Sequence, residues 1–351
     1  MKTLKNLIYL LIVFLFISSC SSDDETLPAP LGEYANGILI TNEGPFQNGT
    51  GTITYISENY ETIEQQIFNQ VNSSDLGNIV QSIGFSGGFA YIVVNNSNKI
   101  EVVNRYSFES LGSITEGLMN PRYFTSTGIN GYVTNWGDPL VDTDDYIAVI
   151  DLLTNTVTST IPVAFGPEKL ILINDVLYVA HQGGYGQNNI LSVIDTSNNT
   201  LASTIEVGDV PNSMVALNND LWVLCGGNPE YTGNETNGKL VKIDVSDNSV
   251  VQVFDFLTTD HPKHLSVDLS HLIYNLNGAV FSKNSADDSL PQESIISGSY
   301  YAMTAEEGKL YATDAGDFAS NGTLKIFDLS TNSEILSVQT GIIPGGVYFN
   351  D

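Results

Sequence analysis

Basic residues are scarce: the 351-residue chain has 12 Lys plus Arg against 40 Asp plus Glu, a formal net charge of −28. Charged residues are only 15% of the chain, so the acidity reflects missing bases more than abundant acids. Nucleic-acid binding is excluded on that ground, because neutralising phosphates takes clustered Lys and Arg. Cysteine is nearly absent, with Cys20 and Cys225 alone, too few for a disulfide framework. The longest apolar run, residues 7–17, is too short for a bilayer span, which needs about twenty residues. There is no Gly-x-Ser-x-Gly elbow, no His-Glu-x-x-His and no Gly-rich phosphate loop. No cofactor is expected, and the protein is expected to be non-enzymatic. What is present is 42% hydrophobic and 10% aromatic residues, too much apolar content for a disordered chain.

The apolar run follows Lys2 and Lys5 and ends in Ile17-Ser18-Ser19-Cys20. A short basic start, an apolar core and small residues before a cut are the marks of a signal peptide. Small residues directly before a cysteine resemble a bacterial lipobox, with Ile17 where Leu is usual. The resemblance implies removal of residues 1–19 and acylation of Cys20, anchoring the chain in outer-membrane lipid by more than one acyl chain. Residues 20–35 then read as a flexible acidic tether. Its Ser21-Ser22-Asp23-Asp24-Glu25 run resembles the surface-export signal of Bacteroidetes lipoproteins, and a solvated tether with no address is the alternative. Cys225 remains as the one thiol, at the end of an apolar strand, where a buried structural role is expected.

From residue 36 a single supersecondary unit recurs seven times. One element is a short strand such as Gly131-Tyr132-Val133-Thr134-Asn135 or Leu177-Tyr178-Val179-Ala180. Its equivalent positions (39, 91, 132, 178, 222, 273 and 311) are separated by 52, 41, 46, 44, 51 and 38 residues, about the 45-residue period of a four-stranded propeller blade. A second element ends in Ile-Asp or Phe-Asp and leads into a turn, at Asp151, Asp195, Asp244 and Asp328. Repetition at one turn position makes these four aspartates architectural. The third element is a proline at the blade boundary (Pro121, Pro167, Pro211, Pro262, Pro344), a residue that suits the start of a strand.

This combination resembles YVTN-repeat, YncE-like β-propellers, over residues 36–351. The expected fold is all-β: a seven-bladed β-propeller of four-stranded antiparallel blades. Blade 6 lacks the Ile-Asp turn, so residues 279–282 must supply its third strand. The chain enters at Ile38 on a second-strand pattern and ends in Pro344-Gly345-Gly346-Val347-Tyr348-Phe349, a first-strand pattern. Blade 1 is therefore expected to be closed by the C-terminus.

In this strand order, the loops joining second to third strands share one rim with the loops joining blades. The former are long and irregular at 43–51, 135–146, 181–189, 225–238 and 314–322, the setting in which binding residues usually sit. They bring Phe46, Trp136, His181, Tyr185, Asn228, Tyr231 and Phe318, aromatics among amides that suit a large, partly polar ligand. The boundary loops add Arg122, Tyr123, Lys169 and His264, a sizeable share of the few bases, placed for an anionic ligand group. Asp142, Asp144 and Asp145 crowd one loop and are weak candidates for a cation; a solvated acidic loop is the alternative.

An acylated, acidic-tethered propeller of this kind resembles the surface cobalamin-binding (BtuG-like) propellers of Bacteroidetes. The resemblance implies a non-enzymatic lipoprotein on the outer face of the outer membrane. It would capture cobalamin or another corrinoid and pass it to a TonB-dependent transporter. A siderophore, haem or glycan as cargo, a protein-interaction or adhesion role, and a metal-dependent lactonase-type hydrolase remain open alternatives.

Overall fold

The computed structural model describes residues 31–46 and 49–351. The signal peptide, Cys20 and the acidic run lie outside the described residues. Residues 31–33 carry no strand or helix. Packing begins at Tyr34, 3% exposed and edge-on to Tyr55 and Phe108, two residues before the boundary at 36 that the sequence indicates.

Seven four-stranded antiparallel sheets follow, each consecutive in the chain except the first. In that first blade the innermost strand is Pro344–Asn350, paired antiparallel to Gly37–Asn42, so the C-terminus closes the ring. Blade 6 takes Ala279–Asn284 as its third strand. Second strands are buried on both faces, as in Val176–His181. Outermost strands such as Thr156–Pro162 bury one residue only. Apolar layers form between neighbouring blades: Tyr178 and Leu191 of blade 4 pack with Leu221, Val223 and Val241 of blade 5.

The recurring Tyr and Asp residues have a physical role. Each turn aspartate accepts from a backbone N–H two residues on, Asp151 from Leu153 at 2.8 Å and Asp328 from Ser330 at 2.8 Å. The turn ends on an asparagine in left-handed geometry, Asn155 (φ 52°), Asn199 (φ 56°) and Asn248 (φ 62°), which Asn tolerates well. The second-strand tyrosine of the preceding blade donates to that asparagine: Tyr91 to Asn155 at 3.2 Å, Tyr132 to Asn199 at 2.7 Å and Tyr178 to Asn248 at 2.7 Å. The repeat thus latches blade to blade. Tyr132→Phe is expected to cost about 1 kcal/mol of stability, measured by denaturant titration, with the fold retained.

The latch lapses where the repeat does. Blade 5 carries Trp222 at the tyrosine position, its ring stacked on Phe254 at 6.2 Å. Blade 6 has Lys283 where its neighbours have the apolar residue before Asp. That ammonium is 1% exposed, lies 4.3 Å from the Phe254 ring centroid, and donates to the Asn284 and Asp287 carbonyls.

Candidate functional site

The boundary prolines do more than start strands. In six of the seven blades the innermost strand is bulged close to its start: at Gln81, at 122–123, at 168–169, at Asn212, at 264–265 and at Gly345. A bulge breaks the strict inward–outward alternation and re-aims a side chain. Here the bulges encircle the axis and turn a ring of unlike polar residues into one funnel of about 590 Å³, within the usual range for small-molecule sites.

Four residues expected at the rim line this funnel together: Arg122, Tyr123, Lys169 and His264. Arg122 forms a two-pronged ion pair with Glu168, Nε–Oε2 2.9 Å and Nη2–Oε1 2.7 Å. Burial alone would lower the Arg122 pKa, but the charge and hydrogen bonds of Glu168 outweigh it and hold it above the ordinary value. The Lys169 ammonium lies 4.0 Å from the Tyr123 ring centroid, and burial lowers its pKa. Tyr123 in turn accepts from Gln81 Nε2 at 3.3 Å. Across the funnel, Tyr301 donates to Glu43 Oε1 at 2.9 Å. Burial raises the Glu43 pKa despite that bond.

His264 departs from ordinary backbone geometry at φ 61°, a cost of about 1 kcal/mol or more for a residue other than glycine. Its Nε2 is 3.1 Å from the Tyr300 carbonyl. A carbonyl only accepts, so Nε2 carries the proton. Burial, with the nearby charges of Lys169 and Lys263, pushes its pKa down to about 4.

The other expected residues do not join the funnel. Trp136 stands behind it, donating from Nε1 to the Pro167 carbonyl at 3.0 Å, with its ring centroid 4.1 Å from the Arg122 guanidinium. Phe318 stands edge-on to Tyr301 at 5.5 Å and is itself 54% exposed. Tyr185 lines a separate, open recess of about 660 Å³ with Leu140, Asp142 and Phe165. Phe46 and Tyr231 are exposed. Asn228 donates from its amide to Asp209 at 3.2 Å.

His181 is a core residue, 0% exposed, with Nδ1 at 3.1 Å from the Phe165 carbonyl and Nε2 at 2.8 Å from Ser192 Oγ. The serine of this pair is also 0% exposed, so no substrate reaches it as a nucleophile. Cys225 is fully buried too, and burial raises its pKa, as expected for a packing thiol.

Asp142, Asp144 and Asp145 do not converge. Asp144 Oδ2 accepts from the Asp138 backbone at 2.9 Å, whereas Asp145 is 2% exposed and accepts from the Gly166 N–H at 3.0 Å. Among the described residues, no group of three or more His, Cys, Asp or Glu side chains is arranged to hold a metal ion. Burial pushes the Asp145 pKa up to about 6.

These buried groups set an acid response. His181 falls from 6.5 to about 4 on folding, through burial, so the unfolded chain binds the proton more readily. Its contribution is lost as pH drops from 6.5 towards 4, by about 3 kcal/mol. Asp145 acts oppositely: its raised pKa favours the fold below 3.8, and that gain fades as pH rises through about 6. Thermal midpoints between pH 7.5 and 4.5 are expected to fall, more steeply in Asp145→Asn and less steeply in His181→Gln.

Glu43, Gln81, Glu168, Tyr301 and Tyr348 line the funnel without having been singled out in the sequence. A usable signal existed for Glu168, because the residue after each boundary proline (Arg122, Glu168, Asn212, Lys263, Gly345) lines the funnel or faces its wall.

Residues 36–255 match a family described as "Domain of unknown function (DUF5074)". No curated protein matches the chain. Among solved structures, a functionally unknown protein from Desulfotomaculum acetoxidans is similar at 12% identity and a TM-score of 0.63, over 90% of this chain and 99% of that one. BamB from Moraxella catarrhalis is similar at 14% identity and a TM-score of 0.55, over 91% and 89% of the two chains. The computationally designed Ika8 protein is similar at 10% identity and a TM-score of 0.58, over 89% and 90%. At such identities the likeness is one of fold alone.

Proposed function

Starting from a chain that belongs to the DUF5074 family, a description that assigns no activity, we propose that this propeller is a non-enzymatic binding protein whose small-molecule ligand sits in the central funnel. The observation that carries this reading is the ring of bulges: regular blades have been bent at one level to present different polar side chains to one cavity. Binding sites of this kind are concave, with a few convergent polar groups.

The lipobox-like N-terminus and acidic run add the setting: an acylated lipoprotein at the cell surface, capturing a nutrient for a TonB-dependent transporter. Cobalamin is the first cargo to test, on family resemblance. A corrinoid macrocycle exceeds a funnel of about 590 Å³, so it would lie across the rim with only a substituent inserted. Calorimetric titration of the chain with cyanocobalamin, a siderophore, haem and a glycan panel tests the reading. One-to-one binding of one cargo, weakened at least about tenfold by Tyr123→Ala, is the expected result. Binding indifferent to Tyr123→Ala would place the ligand elsewhere. A protein-contact role for the same face is favoured by one observation: Leu140, Tyr185 and Tyr231, on loops joining second to third strands, are 85%, 73% and 83% exposed. Retention of a partner protein by a funnel variant that no longer binds small molecules would support it.

A further inference from the structure

We propose that the inner part of the funnel is an anion subsite in which Lys169 meets a carboxylate or phosphate group on an otherwise uncharged ligand. The inference rests on the binding reading above and adds the ligand's chemical class. It starts from which basic side chains in the funnel already have partners. Arg122 is held by both oxygens of Glu168. His261 is engaged by Glu235 at 3.3 Å and by the Gly226 carbonyl at 2.8 Å. His264 is neutral, its ring proton directed at the Tyr300 carbonyl. Lys263 stands exposed at the mouth.

Lys169 differs from Arg122 and the two histidines in having no such partner, and from Lys263 in being partly buried. Among the described residues it takes part in no ion pair, and its ammonium rests on the Tyr123 ring. The charged and titratable groups around it are Tyr123 and Arg122 from blade 3, Glu168 beside it, His264 from blade 6 and Tyr348 from blade 1. The one carboxylate in that set, Glu168, is committed to Arg122, and the nearby Glu43 is capped by Tyr301. A partly desolvated ammonium facing a cavity without a counter-ion is costly, and an incoming anion removes that cost.

The net charge of −28 sharpens the expectation. Long-range electrostatics repel an anion from this molecule, so the reward has to come from the buried contact. Salt screens long-range repulsion more than a short buried contact. Affinity for the anion is therefore expected to hold or rise between 0.05 and about 0.5 M salt, whereas capture by a basic surface would weaken.

The test uses ligand-observed NMR on the full chain with two isosteric probes, naphthalene-2-carboxylate and naphthalene-2-carboxamide. The carboxylate is expected to bind at least about thirtyfold more tightly. That preference should vanish in Lys169→Met, return in Lys169→Arg, and persist in Lys309→Met, which removes the same charge away from the funnel. Thermal midpoints establish that each variant is folded. Inorganic phosphate as competitor separates the sources: displacement of the carboxylate indicates a subsite that also accepts phosphate, and failure to displace indicates a carboxylate subsite. Equal binding of both probes, lost in Tyr123→Ala, would overturn the anion subsite while leaving the binding funnel intact. A preference that survives Lys169→Met, or no carboxylate binding at millimolar concentration, would also overturn it.

Discussion

Deletion of residues 344–351 is expected to abolish cooperative unfolding, not to fray one end. The last strand supplies the innermost strand of blade 1, with Ile38 opposite Phe349, Leu39 opposite Tyr348 and Ile40 opposite Val347. Removing it uncovers Leu39 and Ile40, both 0% exposed. It also breaks a knot at Asn350, whose amide donates to the Tyr34 carbonyl at 2.6 Å and the Arg105 carbonyl at 2.8 Å and accepts from Arg105 Nε at 2.7 Å. Ladder hydrogen bonds at about 1 kcal/mol each and apolar side chains at about 1.5–3 kcal/mol each together rival a net stability of roughly 5–15 kcal/mol. Scanning calorimetry of the truncated chain should show no sharp transition. A transition within a few degrees of the full chain would mean that the ring is held by the other interfaces. The milder Asn350→Ala removes the knot alone and is expected to cost about 2–4 kcal/mol with cooperativity preserved.

The same strand shows why so much of the fold was legible in the sequence. Ring closure was readable because a second-strand pattern at Ile38 and a first-strand pattern at Val347 are both incomplete blades. The turn aspartates were readable because one side chain repeated at one turn position satisfies one local backbone geometry. The site was legible only in part. Lys169 and Arg122 stand out because bases are rare, whereas Glu168, between Pro167 and Lys169, does not. Alternation along a strand would place neighbours on opposite faces, and the bulge at 168–169 breaks that rule without a marker that one repeat alone reveals. Trp136, Phe318 and His181 lie outside the funnel lining. Their residue types suit ligand contact, yet Trp136 supports Arg122, Phe318 stands edge-on to Tyr301, and His181 satisfies a carbonyl and a hydroxyl in the core. Which side of a loop a ring occupies depends on packing between blades, which no local pattern carries.

Breaking the Arg122–Glu168 pair is expected to move stability and binding in opposite directions. Glu168 is 5% exposed and Arg122 is its ion-pair partner, so Arg122→Met strands a buried carboxylate at a cost of about 3–5 kcal/mol. The double variant Arg122→Met/Glu168→Leu removes both charges and should cost far less than the sum of the singles, giving a coupling energy of several kcal/mol in a double-mutant cycle. Glu168→Gln destabilises as well, because the guanidinium loses its counter-charge. In the same step it frees the Arg122 charge into the funnel beside Lys169. Affinity for naphthalene-2-carboxylate is therefore expected to rise several-fold in Glu168→Gln, even as its thermal midpoint falls. A variant that lost binding in proportion to its stability would show that the pair only shapes the wall. Tighter anion binding in a less stable protein would show that Glu168 neutralises Arg122 in the native funnel, leaving Lys169 as the charge that selects the ligand.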